Sequence, residues 1–293
     1  MSSERILTWV NGEIHDPADA KISIFDRGFL FGDSVYELTR FFDGEGVGFD
    51  LHVERLERSM SEAGITGFNA SDYRSISSDL MQALEIRDAC IYIQVTRGVQ
   101  MPRRHLPEPN LRPTVIAIAT PSASLSECIE PQRIPVAIMP DQRRDRCDIK
   151  ATSLLDNVMM SMLAYEQDAE EPILHRDGVL TEGATSNVFI VQDGRLLTPE
   201  LRDPRPILEG VTRRLVREAA AGLGLPVSEQ TISVEAFRSA DEAFVSSSRR
   251  LVGAITSIDG TPVAGGGPGA VTMGLFNELR RRIGAREGSA RIH

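Results

Sequence analysis

The sequence is almost empty of lysine. Of its 32 basic residues only Lys21 and Lys150 are lysine, and the others are arginine. Cysteine is also scarce: Cys90, Cys128 and Cys147 are odd in number and scattered. That excludes a disulfide framework and the paired spacing of a zinc site, and leaves buried or half-buried free thiols as the expectation. No apolar run reaches the roughly 20 residues needed to span a bilayer. The opening MSSERILTWVNGEIH lacks the basic-then-apolar layout of a secretion signal, so a cytoplasmic protein is expected. Positive charge is in deficit as well, with a formal net charge of −10. This argues against nucleic acid and anionic lipid as partners, because both require a cationic surface. Any phosphate handled here should be small and locally bound.

What is present is the balance of a globular chain. With 293 residues, 41% hydrophobic and 25% charged, the length suits two domains of roughly 100–170 residues, each able to bury a core. The small-residue segment TPSASLSE at 120–127 suits a linker between a domain over 1–119 and another over 128–293. Asn11-Gly12, Asp177-Gly178, Asp193-Gly194 and Asp259-Gly260 predict two-residue hairpin turns. Extended runs are read at SVYELTRFF, CIYIQVTRG, TVIAIAT and IPVAIMP, with a shorter strand-like run after Lys21 at Ile22–Phe25. Helices are expected over 51–63, 76–84, 153–166, 210–222 and 272–283. The first of these carries Leu56, Met60 and Ala63 on one stripe, with Arg55 and Ser59 on its polar edge. Hairpins mixed with single helices predict α+β in both halves, not a doubly wound parallel sheet.

Four features bear on chemistry. Arginine serves wherever only positive charge is needed, but a guanidinium cannot lose its proton and attack a carbonyl; a retained lysine is therefore a candidate for amine chemistry. Lys150 is the better candidate, since Lys21 sits in a charged stretch. The helix starting at EGVTRR leaves unpaired N–H groups at the positive end of its dipole, near Gly210 and Thr212, where phosphate binds readily. Glu182 lies in a turn-like stretch before an apolar strand, and Arg55 on a helix. Each of the last two also reads as ordinary solvated charge.

Taken in order, SIFDRGFLFGDSVYELTRFFDG, LHVERLERS, RCDIKATSLLDNVM, ILHRDGVLTEGATSNVFIV and ILEGVTR resemble the class IV aminotransferases, the fold type IV pyridoxal-phosphate enzymes, over nearly the whole chain. The resemblance implies a two-domain fold with a smaller N-terminal α/β domain and a larger C-terminal pseudo-barrel. It implies pyridoxal 5'-phosphate held by Lys150 as a Schiff base, and a ping-pong exchange of amino groups between an amino acid and a 2-keto acid. Glu182 matches the carboxylate paired with the ring nitrogen of the cofactor. Arg55, Val211, Thr212 and Ser248 match its phosphate-binding positions, and Leu208 the side chain lying against the ring.

Within the family, YIQVTRGVQMPRRHLP is similar to the D-amino-acid aminotransferases. There an arginine and a histidine two positions apart, here Arg103 and His105, grip the substrate carboxylate with help from Tyr36. In that group the loop reaches into the partner subunit's active site, which implies a homodimer. Two departures stand out: the loop has one residue more between glycine and proline than the pattern, and Arg249 and Arg250 replace a small-residue run. L-Branched-chain or (R)-amine aminotransferases and aminodeoxychorismate lyases share the core residues and remain open. A non-enzymatic scaffold would have no use for both Lys150 and Glu182.

Overall fold

The structure is a computed structural model that describes residues 5–201 and 206–290, the side chains of 286–290 excepted. It divides into two compact units. Among the described residues, the first holds 5–127 together with 149–153 and Ala290, and the second holds 128–148, 154–201 and 206–289.

In the first unit β1 (Leu7–Val10) and β2 (Glu13–His15) form the hairpin at Asn11-Gly12. They are followed by α1 (Arg27–Phe31), β3 (Ser34–Phe42), β4 (Glu45–Gly46), α2 (Phe49–Ala63), α3 (Tyr73–Leu84), β5 (Ala89–Thr96) and β6 (Val115–Pro121). The strands make one antiparallel sheet in the order β2-β1-β6-β5-β3-β4. Alternate residues of β5, namely Ala89, Ile91, Ile93 and Val95, are fully buried against Leu56, Tyr73, Ile76 and Leu80 of the helices. The isoleucine, valine and leucine side chains among them each contribute about 1.5–3 kcal/mol by leaving water. The stretch 22–25 is not a strand. Ile22 and Ile24 are exposed, so no partner strand rewards the β-branched run with pairing or burial.

The second unit contains β7 (Gln132–Pro140), α4 (Leu155–Tyr165), β8 (Glu171–Arg176), β9 (Val179–Gly183), β10 (Asn187–Gln192), β11 (Arg195–Thr198), α5 (Val211–Gly222), β12 (Val227–Glu229), α6 (Val234–Arg238), β13 (Glu242–Ser247), β14 (Leu251–Ile258), β15 (Thr261–Pro262) and α7 (Ala270–Ala290). Its sheet runs β12-β11-β10-β13-β14-β7-β8-β9, with β15 on β14. Most pairs are antiparallel, but β7 lies parallel to both β14 and β8, and β12 parallel to β11. Leu275, Phe276 and Leu279 of α7 and Val216, Ala219 and Ala220 of α5 share a core with the stacked rings of Phe189 and Phe244. The chain is α+β with a curled half-barrel sheet, as expected. Its three cysteines are free, Cys147 buried and the others half-buried. No helix among the described residues is long and apolar enough to cross a membrane.

Candidate active site

Each unit carries its own group of the singled-out residues. In the first unit, Lys150 lies in the segment Ile149–Ser153, which is laced to β3. Lys150 O accepts from Tyr36 N at 2.9 Å, Thr152 N donates to Ser34 O at 3.1 Å, and Val35 and Ala151 form a β-bridge. Lys150 N donates to Ser59 Oγ at 3.3 Å. These bonds fix the backbone and direct the amine: Lys150 Nζ stands 4.2 Å over the Tyr36 ring, and Tyr36 in turn packs on Tyr92.

Arg55 is not on a solvated edge of α2. The helix buries His52, Arg55 and Ser59 along with Leu56 and Met60, so the face read as polar is an inner face. Burial is tolerable because Glu37 on β3, itself fully buried, accepts from Arg55 Nε and Nη2 at 2.7 and 2.9 Å and hydrogen-bonds His52 Nδ1 at 2.6 Å. Desolvation works to raise the pKa of Glu37, but the Arg55 charge and then His52 outweigh it and hold the carboxyl below the usual carboxylate range. Burial also lowers the pKa of His52; Arg55 is therefore the cation that matches Glu37.

Arg103, Arg104 and His105 lie on the exposed loop between β5 and β6. Arg103 and His105 are brought together on one platform, with Arg103 Cζ 4.3 Å from the Phe31 ring centroid and the His105 ring 5.2 Å from it.

In the second unit Glu182 is on β9 and buried, not in a turn. Its Oε1 accepts from Arg143 Nη1 at 2.8 Å, and its Oε2 from Asn187 Nδ2 at 3.3 Å and Leu208 N at 3.2 Å. Arg143 is clamped by Asp141 through Nε–Oδ1 at 2.9 Å and Nη2–Oδ2 at 3.0 Å, and Asp141 also takes Thr181 Oγ1 and Arg176. Burial pushes the Glu182 carboxyl up in pKa despite Arg143 and the hydrogen bonds that favour the anion. A second positive group, such as a protonated ring nitrogen, would complete its compensation. Sequence reasoning missed Arg143 and Asp141, because thirty arginines hide the one that matters; the Asp141-Gln142-Arg143 spacing beside a strand end was the available signal.

Val211 and Thr212 begin α5 and are buried, and the N-cap is Gly210, with no side chain to cap the first turn. Asn187 bridges Glu182 to the carbonyl of Leu208 at 2.8 Å, tying the approach to α5 to the carboxylate. Ser248 follows β13 in a half-buried turn. Of the two arginines after it, Arg250 is committed to Glu171 at 2.8 Å and Glu170 at 2.6 Å, and Arg249 is exposed.

The second unit thus carries a buried carboxylate beside an uncapped helix start, and the first unit a buried arginine and a backbone-locked lysine. The class IV aminotransferase family model matches residues 34–258. D-Alanine aminotransferases are similar along almost the full length: that of Staphylococcus haemolyticus is 36% identical over 280 residues, 95% of this chain and 98% of the relative. The Bacillus licheniformis enzyme is 35% identical, covering 93% and 95%. Among solved structures, the branched-chain aminotransferase of Thermoproteus uzoniensis with norvaline superposes with a TM-score of 0.85 at 26% identity, covering 97% of both chains. The chain belongs to the class IV aminotransferases. It is a transferase of amino groups between amino and keto acids, with pyridoxal 5'-phosphate as cofactor.

Proposed function

We propose that the chain is a D-amino-acid aminotransferase of D-alanine aminotransferase type, working as a homodimer. The observation that carries the stereochemical reading is the pairing of Arg103 and His105 on Phe31. A guanidinium and an imidazole held against one ring can both serve as donors to a carboxylate. The D-alanine aminotransferase relatives support it.

When bound, the cofactor supplies an electron sink for the Cα carbanion of the substrate. The rest falls to this chain's residues. Lys150 would hold the cofactor through its aldehyde and supply the amine that moves the proton at the substrate Cα. Glu182 would favour the protonated ring nitrogen, with Arg143 holding the carboxylate in place. The N–H groups of Val211 and Thr212, with Arg55 and Ser248, would hold the phosphate, and Leu208 would support the ring. Tyr36, beside Lys150, adds a phenol to the carboxylate grip.

The test is a panel of D- and L-amino acids against pyruvate and 2-oxoglutarate. D-Alanine or D-glutamate is expected to serve as donor, with a keto acid required for turnover. A preference for L-leucine would replace this reading with that of the branched-chain enzymes, which the likeness to the Thermoproteus structure favours. Pyruvate release without any acceptor would mark a lyase.

A further inference from the structure

Arg27 is a nearly fully buried arginine with a task that its own helix does not need. Its α1 is already capped by Asp26, which accepts from Gly28 N at 2.8 Å and from Thr96 Oγ1 at 3.0 Å, and Arg27 N is satisfied by Gly98 O at 2.9 Å. The side chain, 5% exposed, instead reaches across to the loop between β5 and β6. Its Nη1 donates to Arg104 O at 2.6 Å and Gln100 Oε1 at 3.0 Å, and its Nη2 to His105 O at 2.8 Å. Gln100, also buried, adds Leu106 O as acceptor at 3.2 Å. Three consecutive carbonyls of an exposed loop are thereby captured by two buried side chains, which fixes the peptide planes on either side of His105.

The other end of Arg27 is anchored as firmly. Its Nε donates to Asp33 Oδ2 at 2.7 Å. Asp33 is gripped by Arg97 through Nε at 2.8 Å and Nη2 at 2.9 Å, and Arg97 also donates to the carbonyls of Ala63 and Gly64 where α2 ends. One helical turn beyond Arg27, on the same face, Phe31 supplies the ring on which Arg103 and His105 rest. The short helix thus holds the loop twice, by its backbone through Arg27 and by its side chains through Phe31.

We propose that Arg27 is a positioning residue for substrate-carboxylate recognition: with Gln100 it sets the backbone from which Arg103 and His105 project. The inference rests on the proposed role of those two residues. Lysine could not do the same, because one ammonium cannot reach Asp33 and two loop carbonyls in the directions that the planar fork spans. Misplacing a binding group by about 1 Å is enough to cost catalysis heavily.

The experiment compares R27K, Q100A, R103A and H105A as cofactor-loaded enzymes, reading KM and kcat for donor and keto acid, the dissociation constant of pyridoxal phosphate, and amide hydrogen exchange over 101–108. R27K and Q100A are expected to raise both KM values about tenfold with kcat changed far less, to leave cofactor affinity intact, and to speed exchange in the loop. If R27K does not fold, Q100A carries the test, since it frees the loop without unpairing Asp33. Wild-type KM in the folded variants, or KM, kcat and cofactor affinity worsening together, overturns the positioning role while R103A remains impaired. Should R103A and H105A themselves keep wild-type KM, the carboxylate reading falls first and the role of Arg27 falls with it.

Discussion

Lys150 and Lys21 carry the same functional group in opposite settings. Lys21 is exposed in an irregular stretch, whereas Lys150 is held by a β-bridge to β3, with its amine over Tyr36. Lys150→Arg keeps the charge and removes the amine that can be deprotonated. Transamination is expected to vanish in that variant, with secondary structure and melting temperature close to wild type; Lys21→Arg should be silent in both. More than a trace of turnover in Lys150→Arg would end the assignment of the amine. This lysine could be found in the sequence because its competitors had been replaced by arginine. Arg55 and Glu182 could not be found by the same route, since an arginine on a helix and a glutamate near a turn are usually solvated. Their burial depends on what covers them: Glu37 and His52 for the one, Arg143, Asn187 and Leu208 N for the other.

At the scale of elements, the start of α5 is the phosphate site proposed above. Its N-cap is glycine, and a Cβ built on Gly210 would overlap Asn187 Oδ1 and crowd Arg213 Cβ. The same Asn187 holds both Glu182 and Leu208. Gly210→Ala should therefore push Asn187 away, loosening the carboxylate and the first turn of α5 together. Pyridoxal phosphate affinity, followed by fluorescence titration, is expected to weaken about tenfold or more, on the scale of a lost charge-assisted hydrogen bond. Unchanged affinity would place the phosphate away from this helix start. The hairpin turns were legible locally, because Asn-Gly and Asp-Gly pairs accept the positive φ that such turns need, whereas the helices expected over 76–84 and 272–283 run longer, as Tyr73–Leu84 and Ala270–Ala290. Asn11, Asp177, Asp193 and Asp259 all adopt it. The run Ile22–Phe25 misleads for the opposite reason: its β-branched content has a strand's composition but meets no partner strand.

Across the whole molecule, one surface does not fit an isolated chain. Helix α4 buries Met160 and Ala164 against β7 and β8 but leaves Leu155, Val158, Met159, Met162 and Leu163 outside, all between 48% and 71% exposed. They recur at three- and four-residue steps, so they form one continuous apolar stripe. A stripe of this kind marks an interaction surface, and it supports the proposed homodimer. Replacing Val158 and Met162 by glutamate together is expected to shift the mass from light scattering from twice the chain to a monomer, and to lower activity in proportion. A monomeric wild-type protein with full activity would rule the dimer out.

The sequence by itself determined what depends on residue type and near neighbours: the class of fold, the hairpin turns, the longer helices and, through ordered motifs, the family. Only the tertiary structure decided which charges are buried and paired. Glu37 with Arg55 spans 18 positions, Arg143 with Glu182 spans 39, and Arg27 with the carbonyls of Arg104 and His105 spans 77 and 78. No local pattern encodes such partners, because the cost of burying a charge and the bond that offsets it arise only when the chain closes over both.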